Sequence, residues 1–120
     1  MITKRPRRKR RDRSLRSLDP SHFISEPGLA ITSVQHQVDG LRINFASNVT
    51  WNGSDVPGAF RADTSDGPMD GCINVLATGS NWITVEFNGS VSLGAKWMVD
   101  GPMAGITPAI AWPQSGSVTA

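Results

Sequence analysis

Apolar residues recur at every second position from Ile83 to Phe87, and a similar alternation resumes from Ala95 to Asp100. A two-residue period places successive side chains on opposite faces of a half-buried β-strand. Asn88 and Gly89 follow the first run and tolerate the backbone conformations of a tight turn. The pattern therefore predicts two strands joined by a tight reversal, around which the other strands pack.

The same period recurs in short runs between residues 29 and 112, separated by turn-forming residues. Asp39-Gly40 lies between two such runs, which predicts a β-hairpin. Asp63–Gly71 is rich in Asp and Gly and predicts a loop, and Ser115–Ala120 predicts a frayed end. Turns at spacings of about ten residues predict an all-β sandwich of about seven strands.

Twelve glycines and eight prolines disfavour long helices and favour short strands joined by turns. The apolar positions of the predicted strands are numerous enough for the core of one two-layer domain. The residues expected in this core are Val34, Leu41, Ile43, Phe45, Ile73, Val75, Ile83, Val85, Phe87, Trp97 and Val99.

The net charge of +2 is the sum of two oppositely charged segments. Residues 1–16 contain nine basic residues and one acid (+8), whereas residues 17–120 contain three basic residues and nine acids (−6). Such dense positive charge opposes collapse, so we expect an arm that orders on an anionic partner. A solubilising tail is the alternative interpretation. The basic residues of the arm are Lys4, Arg5, Arg7, Arg8, Lys9, Arg10, Arg11, Arg13 and Arg16.

Two proline-containing steps, Asp19-Pro20 and Glu26-Pro27-Gly28, bracket a linker. Pro20 restricts Asp19 to extended conformations, and the Pro-Gly pair marks the start of the folded body. The predicted division is therefore a basic arm with its linker, residues 1–28, and a β-sandwich, residues 29–120.

Two aromatic residues are candidates for an interface with a partner. Phe23 lies in the linker and could anchor it on the body or on a neighbouring subunit. Trp82 lies opposite the apolar face of its strand, so it belongs either to a second buried layer or to an exposed contact. Both interpretations of Trp82 stay open at the level of sequence.

Residues suited to catalysis are few: His22, His36 and a single cysteine, Cys72. A lone cysteine forms no internal disulfide, and its ordinary burial is favoured over a Cys–His nucleophile pair. The acidic Asp63–Gly71 segment lacks the ligand spacing and closing Glu of an EF-hand, which favours plain turn residues. We therefore predict a protein that is not an enzyme and that uses no metal and no cofactor.

The sequence contains no run approaching the roughly 20 apolar residues that span a bilayer. Residues 14–24 follow a basic stretch but lack the apolar segment of a signal peptide. We therefore predict no contact with a membrane and no export by the common secretory route.

A series of aromatic and apolar positions has spacings that are known from one family. The series consists of Phe45 and Val49 in an F-x-x-x-V step, Phe60, Ile83–Phe87, Leu93-Gly94 and Trp97–Val99. It resembles bacterial immunoglobulin-like domains of the S-layer type over residues 31–112. Trp97 stands where that family often has Tyr, and only one copy is present, although the family usually occurs in tandem. The resemblance implies an immunoglobulin-like sandwich with a structural or adhesive role and no active site.

These features lead us to expect a structural protein that acts by assembly in many copies. We expect a minor capsid, decoration or tail-associated protein of a phage particle, located in the virion after assembly in the host cytoplasm. Its sandwich would dock on a protein lattice or on neighbouring subunits, and its arm would contact acidic protein or packaged nucleic acid. The alternative is a nucleic-acid-binding protein whose arm contacts phosphates, which the negative body opposes.

Overall fold

The computed structural model describes residues 26–120, which form strands and connecting turns without a helix. Ten strands are present in this part of the chain. They are β1 (Ile31–His36), β2 (Leu41–Phe45), β3 (Thr50–Trp51), β4 (Phe60–Thr64), β5 (Gly67–Gly71), β6 (Asn74–Thr78), β7 (Trp82–Glu86), β8 (Lys96–Val99), β9 (Ile106–Thr107) and β10 (Gln114–Ser117).

Eight of the described strands form two four-stranded antiparallel sheets. The first sheet has the order β1-β2-β7-β6 and the second has the order β10-β8-β4-β5, while β3 and β9 form a separate two-stranded ladder. The predicted all-β class is confirmed. More strands form than the predicted seven or so, because β5 and β10 lack the apolar alternation that identifies a strand in the sequence.

One hydrophobic core includes buried side chains from both four-stranded sheets. Phe60 on β4 is fully buried, and its ring centroid lies 5.7 Å from that of Trp97 and 6.2 Å from that of Phe87. Phe60 and Trp97 belong to the second sheet and Phe87 follows β7 of the first, so this aromatic cluster joins the two layers. The other buried apolar residues are Val34, Leu41, Ile43, Phe45, Val49, Ala62, Cys72, Val75, Ile83, Val85, Val91, Val99, Met103, Ile106, Ile110 and Val118.

Ile73 is the one predicted core residue that is not buried: 45% of its surface is exposed, so its placement in the core was wrong. At this point the chain passes from β5 in the second sheet to β6 in the first. The buried residues on either side, Cys72 and Val75, are three positions apart. The two-residue period therefore does not hold across the crossing.

The tight reversal predicted after Phe87 is also wrong, because β7 and β8 lie in different sheets. β7 pairs with β2 and β6, whereas β8 pairs with β4 and β10. The connection between them is longer than the two to five residues usual in a hairpin loop. Val91 is buried within this connection, and its left-handed residue is Gly94 (φ 81°) rather than Gly89.

The Asp63–Gly71 segment, predicted as a loop, contains most of a β-hairpin. β4 and β5 pair antiparallel, with Thr64 opposite Gly67 and Arg61 opposite Gly71. The Asp66 N–H donates to Thr64 Oγ1 at 3.0 Å within the turn. Gly and Pro are tolerated here because β5 is an edge strand, whose outer N–H groups need no ladder partner.

The predicted frayed end, Ser115–Ala120, is instead ordered. β10 pairs with β8, and Val118 is buried. The Thr119 N–H donates to the Val34 carbonyl at 2.9 Å, and the His36 N–H donates to the Thr119 carbonyl at 2.7 Å. The C-terminal residues therefore cover the outer edge of β1.

The predicted hairpin at Asp39-Gly40 is confirmed. β1 pairs antiparallel with β2 up to His36 opposite Leu41, and the Gln37 N–H donates to the Gly40 carbonyl at 2.9 Å. A Cβ at Gly40 would collide with the carbonyl of Val85 on β7. Glycine is required here by the close approach of a neighbouring strand.

Backbone pairing starts before β1. The Glu26 N–H donates to the Trp112 carbonyl at 2.7 Å, and the Trp112 N–H donates back at 3.0 Å. The Leu29 N–H donates to the Ala109 carbonyl at 2.9 Å. Glu26, which the sequence assigns to the linker, is thus hydrogen-bonded to the C-terminal part of the body.

Two isoleucine-to-alanine substitutions test the assignment of the core. We expect Ile83→Ala, at a fully buried site, to lower the free energy of unfolding by about 2–5 kcal/mol. Ile73→Ala removes the same atoms from a half-exposed site and should cost less than about 1 kcal/mol. Urea unfolding followed by circular dichroism measures both, and equal losses would contradict the described crossing.

Candidate interaction surface

The outer face of the first sheet carries polar and aromatic side chains that the strand register brings together. Arg42 on β2 lies opposite Thr84 on β7 and opposite Gln35 on β1, and Asn44 lies opposite Trp82. These positions alternate with buried residues on each strand, so the packing of the core directs them outward. We call Arg42, Asn44, Trp82 and Thr84 the outer-face cluster.

Arg42 and Trp82 form the centre of the outer-face cluster. The Arg42 Cζ atom lies 4.1 Å from the centroid of the Trp82 ring, which is the geometry of a cation–π contact. A Cβ at Gly79 would collide with the Trp82 indole, so glycine at this position lets the ring lie close to the backbone. The Arg42 Nε atom is covered and makes no hydrogen bond within residues 26–120.

Asn44 links two residues of the neighbouring strand. Its Nδ2 atom donates to Ser33 Oγ at 3.0 Å and to Gln35 Oε1 at 3.0 Å. Thr84, between β2 and β6, is almost completely covered by its neighbours. Side chains held in this way lose little rotamer freedom when a partner binds, which favours a recognition role for the face.

The structure leaves Trp82 between the two interpretations offered by the sequence. Its side chain is half-buried on the outer face, and no further layer of residues 26–120 lies over it. Its ring packs against Arg42 and Gly79. The assignment of Trp82 to a partner interface therefore remains a prediction. The alternation of the sequence directs Arg42 and Trp82 outward, but the β2–β7 register that joins them has no local sequence signal.

The other candidate residues lie outside the described part of the chain. These are Phe23 and the arm residues Lys4, Arg5, Arg7, Arg8, Lys9, Arg10, Arg11, Arg13 and Arg16. Their roles in binding a partner or a polyanion stay predictions.

The described body is acidic, with eight acids and three basic residues in positions 26–120 (−5). Arg61 Nε lies 3.0 Å from Asp100 Oδ2, but this N–H makes no well-directed hydrogen bond and both side chains are partly exposed. An ion pair of this kind adds little stability. The net charge of residues 26–120 therefore favours a cationic ligand over an anionic one.

Two carboxylates of the acidic β4–β5 hairpin accept hydrogen bonds from within the hairpin itself. Asp63 Oδ1 accepts the Met69 N–H at 3.1 Å, and Asp70 Oδ2 accepts the Thr64 hydroxyl at 2.6 Å. Among residues 26–120, no three acidic, histidine or cysteine side chains come together as a metal site. These hydrogen bonds support a structural role for the hairpin carboxylates.

Two cavities of about 240 Å³ each border the connection between β7 and β8. The first lies between residues 36–40 and 87–91, and the second lies beside residues 63–65. The charged or titratable residues that line them are His36, Asp39 and Asp63. Serines line both cavities, but among residues 26–120 no hydrogen bond joins one of them to His36 or to Asp63, whose Oδ1 accepts the Met69 N–H instead.

Cys72 is an inert thiol in its folded environment. It is 5% exposed, and its Sγ donates to the Pro57 carbonyl at 3.2 Å. Burial raises the pKa of the Cys72 thiol to about 12. A thiol that stays protonated is a poor nucleophile, which agrees with the favoured interpretation of this residue as part of the core.

Comparison of the chain with protein families, characterised proteins and solved structures gives no match. Within residues 26–120, no helix has the length and apolar character needed to cross a membrane. The functional argument therefore depends on the surfaces and charges of this chain.

The raised pKa of Cys72 predicts a loss of stability at alkaline pH. Because the folded pKa of about 12 exceeds the unfolded value, the stabilising contribution of the neutral thiol is present below about pH 8.5 and is lost as the pH rises towards 12. Between pH 8.5 and 11 the wild type should lose about 2–4 kcal/mol more than Cys72→Ala, measured by urea unfolding. Parallel pH profiles of the two proteins would contradict the burial of the thiol.

The Arg42–Trp82 contact can be measured with a double-mutant cycle. We expect Arg42→Gln and Trp82→Leu to show a coupling energy of about 0.5–2 kcal/mol in urea unfolding, because each variant removes the same cation–π contact. The control cycle combines Trp82→Leu with Arg61→Gln on the other sheet and should be additive within about 0.5 kcal/mol. Additivity in both cycles would show that the contact contributes no stability.

Proposed function

We propose that this chain is a structural protein of a larger assembly, namely a minor capsid, decoration or tail-associated protein of a phage particle. It would be present in the virion in many copies after assembly in the host cytoplasm. The observation that carries this proposal is the charge separation between a +8 segment, residues 1–16, and a −5 folded body, residues 26–120. A single chain thus holds two surfaces that attract each other between copies.

An immunoglobulin-like arrangement is part of the proposal, and the strand order supports it. In immunoglobulin-type sandwiches one sheet has the order A-B-E-D and the other contains C, F and G, with C′ beside C in variable-type domains. Naming the strands of the two sheets in chain order gives A-B-E-D for β1-β2-β7-β6 and G-F-C-C′ for β10-β8-β4-β5. Such domains serve as rigid docking modules, which fits an assembly role.

The arm would act at a distance from its own body. The sixteen residues of the basic segment span at most about 55 Å when fully extended, which is enough to reach a neighbouring subunit. At 0.1 M salt the charges of the arm are screened beyond about 10 Å, so attraction requires close approach to an acidic surface. The arm would then strengthen a contact whose position is set by the shape of the folded body.

A nucleic-acid-binding protein is the second candidate, and the same arm supports it. Nine basic residues in sixteen are enough for several phosphate contacts, which would give a steep dependence of affinity on salt. The negative charge of residues 26–120 would repel the same ligand, so the arm alone would supply the attraction. This opposition favours an acidic protein surface as the principal partner.

Fractionation of cells that make the protein tests the proposal. We expect the chain to sediment with assembled particles. A variant with Arg7, Arg8, Lys9, Arg10 and Arg11 changed to Gln should leave the particle at lower salt, because the arm supplies the electrostatic part of the contact. The control is Lys96→Gln, which removes an exposed charge from the body. Recovery of the wild type only in the free cytosolic fraction would contradict the assembly role.

A gel shift with duplex and single-stranded DNA and RNA separates the two candidates. Tight binding that falls steeply with salt, and that the five-residue arm variant loses, would favour the nucleic-acid role. No shift at low salt would eliminate it.

A further inference from the structure

The four edges of the two larger sheets differ in how they are protected. Unprotected edges present rows of unpaired backbone groups to other chains. The edges of β1 and β10 lie beside each other and protect one another: Gln114 Oε1 on β10 accepts the Ile31 N–H at 2.8 Å, and Thr119, just after β10, pairs with Gln35 on β1. β5 contains Pro68 and Asp70, both of which discourage pairing.

The remaining edge, β6, carries neither a charge nor a proline. No strand of residues 26–120 pairs with its outer side. The sequence has no charged residue between Asp70 and Glu86, a span that includes the whole of β6. Two large apolar residues are exposed along it, Ile73 at 45% and Leu76 at 41%. A ladder irregularity between Val75 and Ala77 limits regular pairing to the C-terminal half of the strand.

The backbone N–H and carbonyl of Thr78 point outward from the open edge of the first sheet. Thr78 lies opposite Ile83, and the next residue, Gly79, donates its N–H to the Trp82 carbonyl at 2.8 Å. Hydrogen-bonded and non-hydrogen-bonded pairs alternate along an antiparallel ladder. Because Gly79 faces β7, the N–H and the carbonyl of Thr78 both face the open edge.

We propose that β6 pairs antiparallel with β6 of a second copy, with the two-fold axis at Thr78. The two Thr78 residues would exchange both backbone hydrogen bonds, and the sheets would join as β1-β2-β7-β6-β6-β7-β2-β1. The outer-face clusters of the two copies would then lie on the same side of this continuous sheet.

The absence of charge along the β6 edge favours a second copy of this chain as its partner. The acidic bodies of two copies repel each other, and the uncharged Gly71–Val85 stretch is where they can approach with least repulsion. The same lack of charge gives the basic arm no attraction to this edge. A second copy presents an identical uncharged strand, and a two-fold axis satisfies both strands at once.

This inference rests on the proposed assembly role and gives it a defined contact between copies, distinct from the arm. The test uses the full chain in sedimentation equilibrium over a concentration series at about 0.1 and 0.5 M NaCl. At the higher salt the Debye length is about 4 Å, so contacts made by the arm are weakened while backbone pairing persists. We expect a monomer–dimer equilibrium at both salt concentrations.

Three variants of one exposed residue identify the contact. Thr78→Lys places like charges opposite each other, and Thr78→Pro removes the outward N–H; each should raise the dimer dissociation constant at least about tenfold. Thr78→Val keeps the backbone groups and the branched side chain and should change it less than about threefold. Circular dichroism establishes that each variant is folded.

A wild type that stays monomeric at about 0.5 M NaCl over the whole series would overturn the inference, as would folded Lys and Pro variants that dimerise like the wild type. If the wild type is monomeric but the arm variant still leaves the particle at lower salt, the edge contact is excluded and the assembly role stands. If the dimer persists at about 0.5 M NaCl but the protein never sediments with particles, the edge contact stands and the assembly role is excluded.

Discussion

Contact between Phe60, Trp97 and Phe87 is the interaction on which the rest of the structure depends. Each four-stranded sheet has one apolar face, and these three rings meet where the faces come together. A lone sheet would leave that face in water, so each sheet is stable only against the other. The same requirement explains why β7 and β8, neighbours in the chain, are in different sheets: Phe87 and Trp97 approach the core from opposite layers.

Burial of one face determines the chemistry of the other. Because the inward positions of β2 and β7 are fixed by the core, Arg42 and Trp82 are held side by side on the outer face, where they cover part of each other. The surface of the described body is otherwise acidic, and its hairpin carboxylates stabilise their own turn. The described body thus combines a sheet face that carries polar and aromatic side chains with a net negative charge elsewhere.

The sequence by itself determined the class of the fold, and it predicts a division of the molecule into a basic arm and a folded body. Dense positive charge extends up to Arg16, and apolar residues recur with period two in the strands that follow. This period correctly predicts the all-β class, and all but one of the residues assigned to the core are buried, because a residue facing the core must be apolar wherever its strand is placed. The Asp39-Gly40 hairpin could be predicted for a similar reason: short turns depend on local backbone preferences.

Only the tertiary structure decided which strands are partners. The separation of β7 from β8, the exposure of Ile73 at the crossing between sheets and the ordering of residues 114–119 along β8 and β1 all depend on contacts between distant segments. The Arg42–Trp82 contact and the open edge at Thr78 have the same origin. A two-residue period indicates which side of a strand is buried. It does not indicate which other strand pairs with it, since the backbone hydrogen bonds that join strands are the same for every residue except proline.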